Sequence, residues 1–267
     1  MRRLLLAAVI AAGLFAPRSS DAAERWVDRP MTLHRLVFAG DVGLGVGHTD
    51  TNLTPSITGA GLNLEGALGV TDNLELGLRT GIRFGDDGRF TGADGYGRTL
   101  WTETYGTGSD TFANPELRVR WVAYSGSIAE VGLDGRVFLP VESGTRFGMM
   151  FGVPLAFHAS DFLRIDTGAY IPVISRSGGA FNGVTMPGYF WFQTSEKLWL
   201  GPMAAIRIID PGGPFGDHDV NLLAGFGLGY QALQMLDLKF QVFAPAIDEV
   251  GLDIIGFGFG AQFRIGE

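Results

Sequence analysis

From about residue 33 to residue 265 the chain alternates with period two, and one of the two resulting faces carries no charge. Period two sends successive side chains to opposite sides of a β-strand. Twelve segments follow the rule, at about 33–47, 57–70, 74–84, 114–124, 128–142, 147–158, 162–174, 184–193, 198–209, 220–230, 235–245 and 252–265. One face of the third reads Leu74, Leu76, Leu78, Thr80, Ile82, Phe84, and one face of the sixth reads Phe147, Met149, Phe151, Val153, Leu155, Phe157. Apart from Asp253 at the edge of the last segment, no Asp, Glu, Lys or Arg falls on the more apolar face of any segment. The other face holds Asp41, Glu65, Glu75, Arg79, Arg83, Glu116, Arg118, Arg120, Glu130, Asp134, Arg136, Arg164, Asp166, Arg207, Asp237, Lys239 and Arg264.

A water-soluble sandwich or barrel turns its apolar face inward and shows a lysine-rich face to solvent. This chain has only two lysines, Lys197 and Lys239, against 18 arginines. A charge facing lipid at the bilayer midplane costs about 2–4 kcal/mol, so a membrane barrel keeps that face empty of charge. Closing the sheet pairs every backbone group, which an open sheet in lipid cannot do. The pattern therefore predicts an all-β fold: a transmembrane antiparallel up-and-down β-barrel of 12 strands. Connections alternate as such a meander requires. Short ones at 71–73, 125–127, 159–161, 194–197 and 231–234 interleave with longer ones at 48–56, 85–113, 143–146, 175–183, 210–219 and 246–251. Segment 184–193 has an ambiguous face, because Pro187 and Gly188 can bulge it. Trp121, Tyr124, Trp191, Trp199 and Tyr230 are expected to ring the periplasmic interface, where amphipathic rings settle at headgroup depth.

The N-terminus has a different character. Met1-Arg2-Arg3 precedes an apolar run from Leu4 to Ala16, and Ser20-Asp21-Ala22 offers small residues for cleavage. This predicts a signal peptide over 1–22, a periplasmic segment over 23–32 and the barrel over 33–267. A run of 13 apolar residues is too short for an ordinary membrane helix. The chain has no cysteine, which excludes disulfides and thiolate metal sites. Its net charge of −8 argues against a nucleic-acid partner.

These features together resemble Gram-negative outer-membrane β-barrels of the porin-like and transporter-like kind. The resemblance rests on the export signal, the alternation over 33–265, the turn Gly69-Val70-Thr71-Asp72-Asn73-Leu74-Glu75-Leu76-Gly77 and the last strand Phe257-Gly258-Phe259-Gly260-Ala261-Gln262-Phe263. It implies outer-membrane localisation and lipid contact. It also implies recognition of the C-terminal strand by the barrel-insertion machinery. That signal usually ends on an aromatic residue, whereas this chain continues through Arg264 to Glu267.

Twelve strands enclose a lumen between those of packed eight-stranded barrels and open porins. The candidate lumen or constriction residues are Glu65, Arg79, Arg83, Glu116, Arg118, Arg120, Asp134 and Arg136. They read either as a selective constriction for small polar solutes or as an ion-pair network that plugs a structural or surface-interaction barrel. Inward glycines such as Gly225, Gly227, Gly229, Gly256, Gly258 and Gly260 either leave room or let the sheet bend. The acidic loop 85–113 reads as a surface loop or as one that folds over the pore. Its Asp86, Asp87 and Asp94 match no calcium-loop spacing.

A more remote reading is a lipid-modifying enzyme, from His158-Ala159-Ser160 with Asp166. The strand count puts His158 at the periplasmic rim and pointing inward, away from the outer leaflet, so no catalytic residue is assigned. No metal site or cofactor motif appears, and the Gly-x-Gly runs are not followed by a helix.

Overall fold

The computed structural model describes residues 24–50, 57–84, 111–141, 145–176, 179–210 and 219–266. The expected signal peptide and most of loop 85–113 lie outside the described residues, including Asp86, Asp87 and Asp94. No helix among the described residues is long and apolar enough to cross a membrane.

Twelve antiparallel strands close into one barrel. They are β1 Phe38–Thr49, β2 Ile57–Thr71, β3 Leu74–Phe84, β4 Glu116–Ser125, β5 Ala129–Phe138, β6 Thr145–Ser160, β7 Leu163–Arg176, β8 Gly179–Gln193, β9 Leu198–Asp210, β10 Asp219–Leu233, β11 Leu236–Ala244 and β12 Ile254–Ile265. Each strand pairs with its sequence neighbours. β1 and β12 complete the circle in unbroken register from Phe38↔Ile265 to Thr49↔Ile254. The short turns at 72–73, 126–128, 161–162, 194–197 and 234–235 share one end of the barrel with the start of β1 and the end of β12.

The outer wall is the uncharged face of the sequence pattern. Leu78, Val119, Phe151, Ile171 and Phe259 are exposed there, while most of the described charged residues of the opposite face point inward and are buried, among them Glu75, Arg118, Asp134, Arg164 and Asp237. The ambiguous eighth segment is a full strand longer than expected. β7 runs to Arg176 and β8 starts at Gly179, so most of the expected loop 175–183 is sheet. Pro187 has no N–H to donate. The β7–β8 ladder accordingly skips from Thr167↔Gly188 to Tyr170↔Thr185, while Pro187 stays in register with Ala205 on β9. The Thr167 hydroxyl donates to the Pro187 carbonyl oxygen at 2.7 Å.

Two differences from the sequence expectation concern the short-turn end. β1 begins at Phe38 rather than Leu33, because the chain turns sharply at Leu36, with φ of 65°. The aromatic ring is also split. Trp121, Tyr124 and Tyr230 are exposed on the outer wall, but Trp191 and Trp199 are buried in the lumen. Parity explains the correction for Trp199, which shares its face with the inward residues Met203 and Arg207. Both tryptophans have an apolar partner inside, Trp26.

This arrangement makes a spectroscopic prediction. In a Trp101→Phe background, Trp121→Phe removes most of the emission that brominated lipids quench, and Trp191→Phe or Trp199→Phe removes little of it.

Candidate functional site: the lumen and its N-terminal segment

β2 to β5 project the candidate residues into one layer of the lumen. Register alone sets unfavourable neighbours there, with Arg118 on β4 directly opposite Arg136 on β5. Like charges at that spacing repel. The guanidinium groups escape by reaching carboxylates on both sides. Arg118 Nη2 lies 3.0 Å from Glu65 Oε1 and 2.9 Å from Glu75 Oε1. Arg120 donates from Nε and Nη2 to Asp134 Oδ2 at 3.0 and 2.8 Å. Arg136 donates to Asp134 Oδ1 at 2.7 Å and to Glu116 Oε1 at 3.0 Å, and its guanidinium sits 5.6 Å from the centre of the Tyr170 ring. Arg79 is buried on β3, in register between Glu65 and Glu116. Arg83 is on β3, but its side chain lies outside the described residues.

The burial decides what this layer is in the structure. The side chains of Arg120 and Asp134 are both 0% exposed. Water does not reach this pair, and the charges around it are neutralised at close range, as buried ions must be.

Below this layer, toward the short turns, the lumen holds a piece of chain that the sequence reading put ahead of the barrel. Residues 24–37 enter from the short-turn end through a single 3-10 turn, Trp26–Asp28. Trp26, Val27, Met31, Leu33 and Val37 are all buried. Trp26 stacks on Trp199 with centroids 5.0 Å apart and meets Trp191 edge-on at 6.1 Å. The guanidinium of Arg29 lies 5.2 Å from the centre of the Trp26 ring, and Lys239 Nζ lies 5.6 Å from it. Cations over an indole face gain from its quadrupole, most when desolvated.

Polar groups of six strands hold this segment. Arg29 forms a two-point pair with Asp237 on β11, at 2.5 and 3.2 Å. Arg164 on β7 donates to the Arg29 carbonyl oxygen and to Asp166 at 2.8 Å. Glu130 on β5 accepts the Met31 N–H at 2.9 Å, and Glu75 on β3 accepts the Leu33 N–H at 3.0 Å. Gln193 on β8 accepts the Val27 N–H at 3.3 Å. His158 on β6 binds the Val27 carbonyl oxygen through Nδ1 at 2.7 Å and Glu130 through Nε2 at 3.0 Å. His158 therefore serves the segment, while Asp166 pairs with Arg164. Glu75 belongs to both systems, since it also holds Arg118.

The wall is shaped to admit the backbone. A side chain at Gly69 would collide with the carbonyl oxygens of His34 and Leu33, and one at Gly132 would come within 2.9 Å of Met31 Sδ. A side chain at Gly229 would enter the Trp199 ring. The sequence signals for this seat were Trp26, Met31 and Leu33 in a stretch with no strand periodicity, and acids and glycines on inward positions across the lumen. Nothing local joins them, because the Arg29–Asp237 pair spans 208 residues.

No protein-family model and no curated protein matches the sequence. Several solved structures match the fold. The NanC porin superposes with a TM-score of 0.59 at 10% identity, over 84% of this chain and 98% of that one. An outer-membrane channel from Pseudomonas putida F1 gives 0.58 at 9% identity, over 93% and 100%. The KdgM porin gives 0.54 at 9%, over 84% and 98%. The chain has the architecture of a porin-like outer-membrane β-barrel.

The seat makes a prediction about Gly69. The colliding atoms there are backbone and cannot swing aside, and overpacking of this kind costs about 1–3 kcal/mol. Gly69→Ala should speed amide hydrogen exchange in residues 24–37 by about tenfold or more, while exchange in β6 to β10 stays near that of the parent.

Proposed function

We propose that the protein is an outer-membrane channel for small polar solutes, and that its resting form is shut at the periplasmic mouth by its own N-terminal segment. The observation that carries the reading is a separation of parts. The wall closes on itself through the β1–β12 ladder without help from the segment. The segment is held by side chains and by a few hydrogen bonds at its exit, where Leu36 N–H donates to the Gly69 carbonyl and Gly69 N–H to that of Val37. A terminal piece held this way can leave without opening the barrel. The matched structures named as porins or as a channel support the same reading.

Polar solutes fit because the lumen is lined by ionisable side chains. With the segment withdrawn, Glu75 and Asp237 lose partners and the mouth gains water. The arginines Arg79, Arg118, Arg120 and Arg136 then form the narrow charged layer, offset by Glu65, Glu116 and Asp134. Fixed charges at such a constriction select the sign of the permeating ion.

A second reading has its own observation. The 0% exposure of Arg120 and Asp134 suits a structural barrel whose lumen is filled by ion pairs. Planar-bilayer recording separates the two. The channel reading expects small or rare openings from the whole chain and a large, sustained conductance after deletion of residues 24–33. A deletion variant that is folded and passes no current overturns the channel and leaves the structural barrel.

Charge removal gives an independent check on the layer. In the deletion background, Arg118→Ala should move the reversal potential in a salt gradient toward cation preference. In the intact chain the same change takes from Glu65 and Glu75 the guanidinium they share. Leaving a buried charge without its partner costs about 3–5 kcal/mol, so the intact variant should unfold at clearly lower urea.

A further inference from the structure

The lumen carries a second polar cluster, on β1, β2, β11 and β12, beside the arginine layer. Across the closing seam, Gly43 faces Gly260 and Gly45 faces Gly258, all on the inner side. These positions differ in what covers them. A side chain at Gly258 would run into Gln241, whereas one at Gly43 or Gly260 would meet nothing nearer than 3.7 Å. The space beside Gly43 and Gly260 is a cavity of about 30 Å³, lined also by Asp41, Asn63, Lys239 and Gln241.

One amide lining that cavity is unsatisfied. Gln241 is 8% exposed and lines it from β11. Asn63 Nδ2 is buried with no partner. A buried polar group left without a partner costs about 1–3 kcal/mol. The ionic groups beside them balance, with Lys239 Nζ 3.3 Å from Asp41 Oδ2.

We propose that this recess is a subsite for a hydroxyl-bearing arm of a neutral polyol, taken from solutes in the lumen. The chemistry selects that class. A hydroxyl is both donor and acceptor, so it can answer either end of an amide, a carboxylate or an ammonium. A solute with net charge would have to compete with the Asp41–Lys239 pair and leave one ion buried alone. The volume fits one hydroxymethyl-sized group, and the bare glycine wall lets a carbon chain lie flat against the backbone. The subsite rests on the channel reading for its purpose, but binding to it does not require conduction.

The test uses the whole chain in detergent micelles and erythritol as the probe, with dissociation constants from saturation-transfer NMR. The parent should bind erythritol, and propionate and propylammonium should not displace it. Gln241→Leu and Gly43→Ala should each weaken binding by about 3–10-fold, the worth of a hydrogen bond, with urea midpoints near the parent's. Gly43→Ala guards against misfolding, since its new methyl makes only ordinary contacts, at 3.7 Å or more. Binding that neither variant changes, or a recess that takes up one ordered water only and no erythritol, overturns the subsite. Conduction by the deletion variant without erythritol binding overturns the subsite and keeps the channel. Erythritol binding that both variants weaken, in a barrel that never conducts, keeps the subsite and overturns the channel.

Discussion

The uncharged outer wall constrains where the strands of this barrel can carry charge. A strand has two faces, and one of them meets hydrocarbon. Most charged side chains described in the twelve strands are therefore driven into one narrow lumen, where charges stand close together with little water. The structure answers that crowding by pairing. Arg118 bridges two glutamates, Asp134 accepts two arginines and Arg136 bridges two acids. Arginine suits this work because its planar fork reaches two partners at once and stays charged under burial. The scarcity of lysine follows from the same requirement.

The N-terminal segment extends that logic by adding partners to groups that the wall has already paired in part. Glu130, Glu75 and Gln193 accept backbone N–H groups of the segment, and Asp237 takes Arg29. The segment brings its own hydrophobic payload as well. Burying Trp26, Met31 and Leu33 contributes on the order of 2 kcal/mol each before the entropy of ordering them. Polar satisfaction and apolar burial thus act on one short stretch, and both draw it inward.

How much of this could be read from the sequence depended on range. All twelve strands were legible because each shows its uncharged face within ten to fifteen residues of chain. Short turns around Asp72, Asp161 and Gln234 were legible for the same reason. The inward direction of Arg118, Arg120, Asp134 and Arg136 followed from parity, although their pairing depended on register. Trp191 and Trp199 were misplaced because aromatic residues near strand ends are common on both faces. Parity turns Trp199 inward, and the partner that receives both rings, Trp26, lies more than 160 residues away. The seat of residues 24–37 was invisible for that reason too, since its contacts join the first part of the chain to β11. Gly69 shows the limit well, since its sequence context is a hairpin and its reason for lacking a side chain is the carbonyl of His34.

That distance has a kinetic side. The segment precedes every strand, yet its seat is complete only when β3, β5, β6, β7, β8 and β11 stand in one ring. Contacts of such long sequence separation form late, because loop closure has to come first. The leading residues of this protein are thus among the last to find their place. Trp26 stacked on Trp199 marks a barrel that has already closed, so the pair is a built-in indicator of completed assembly.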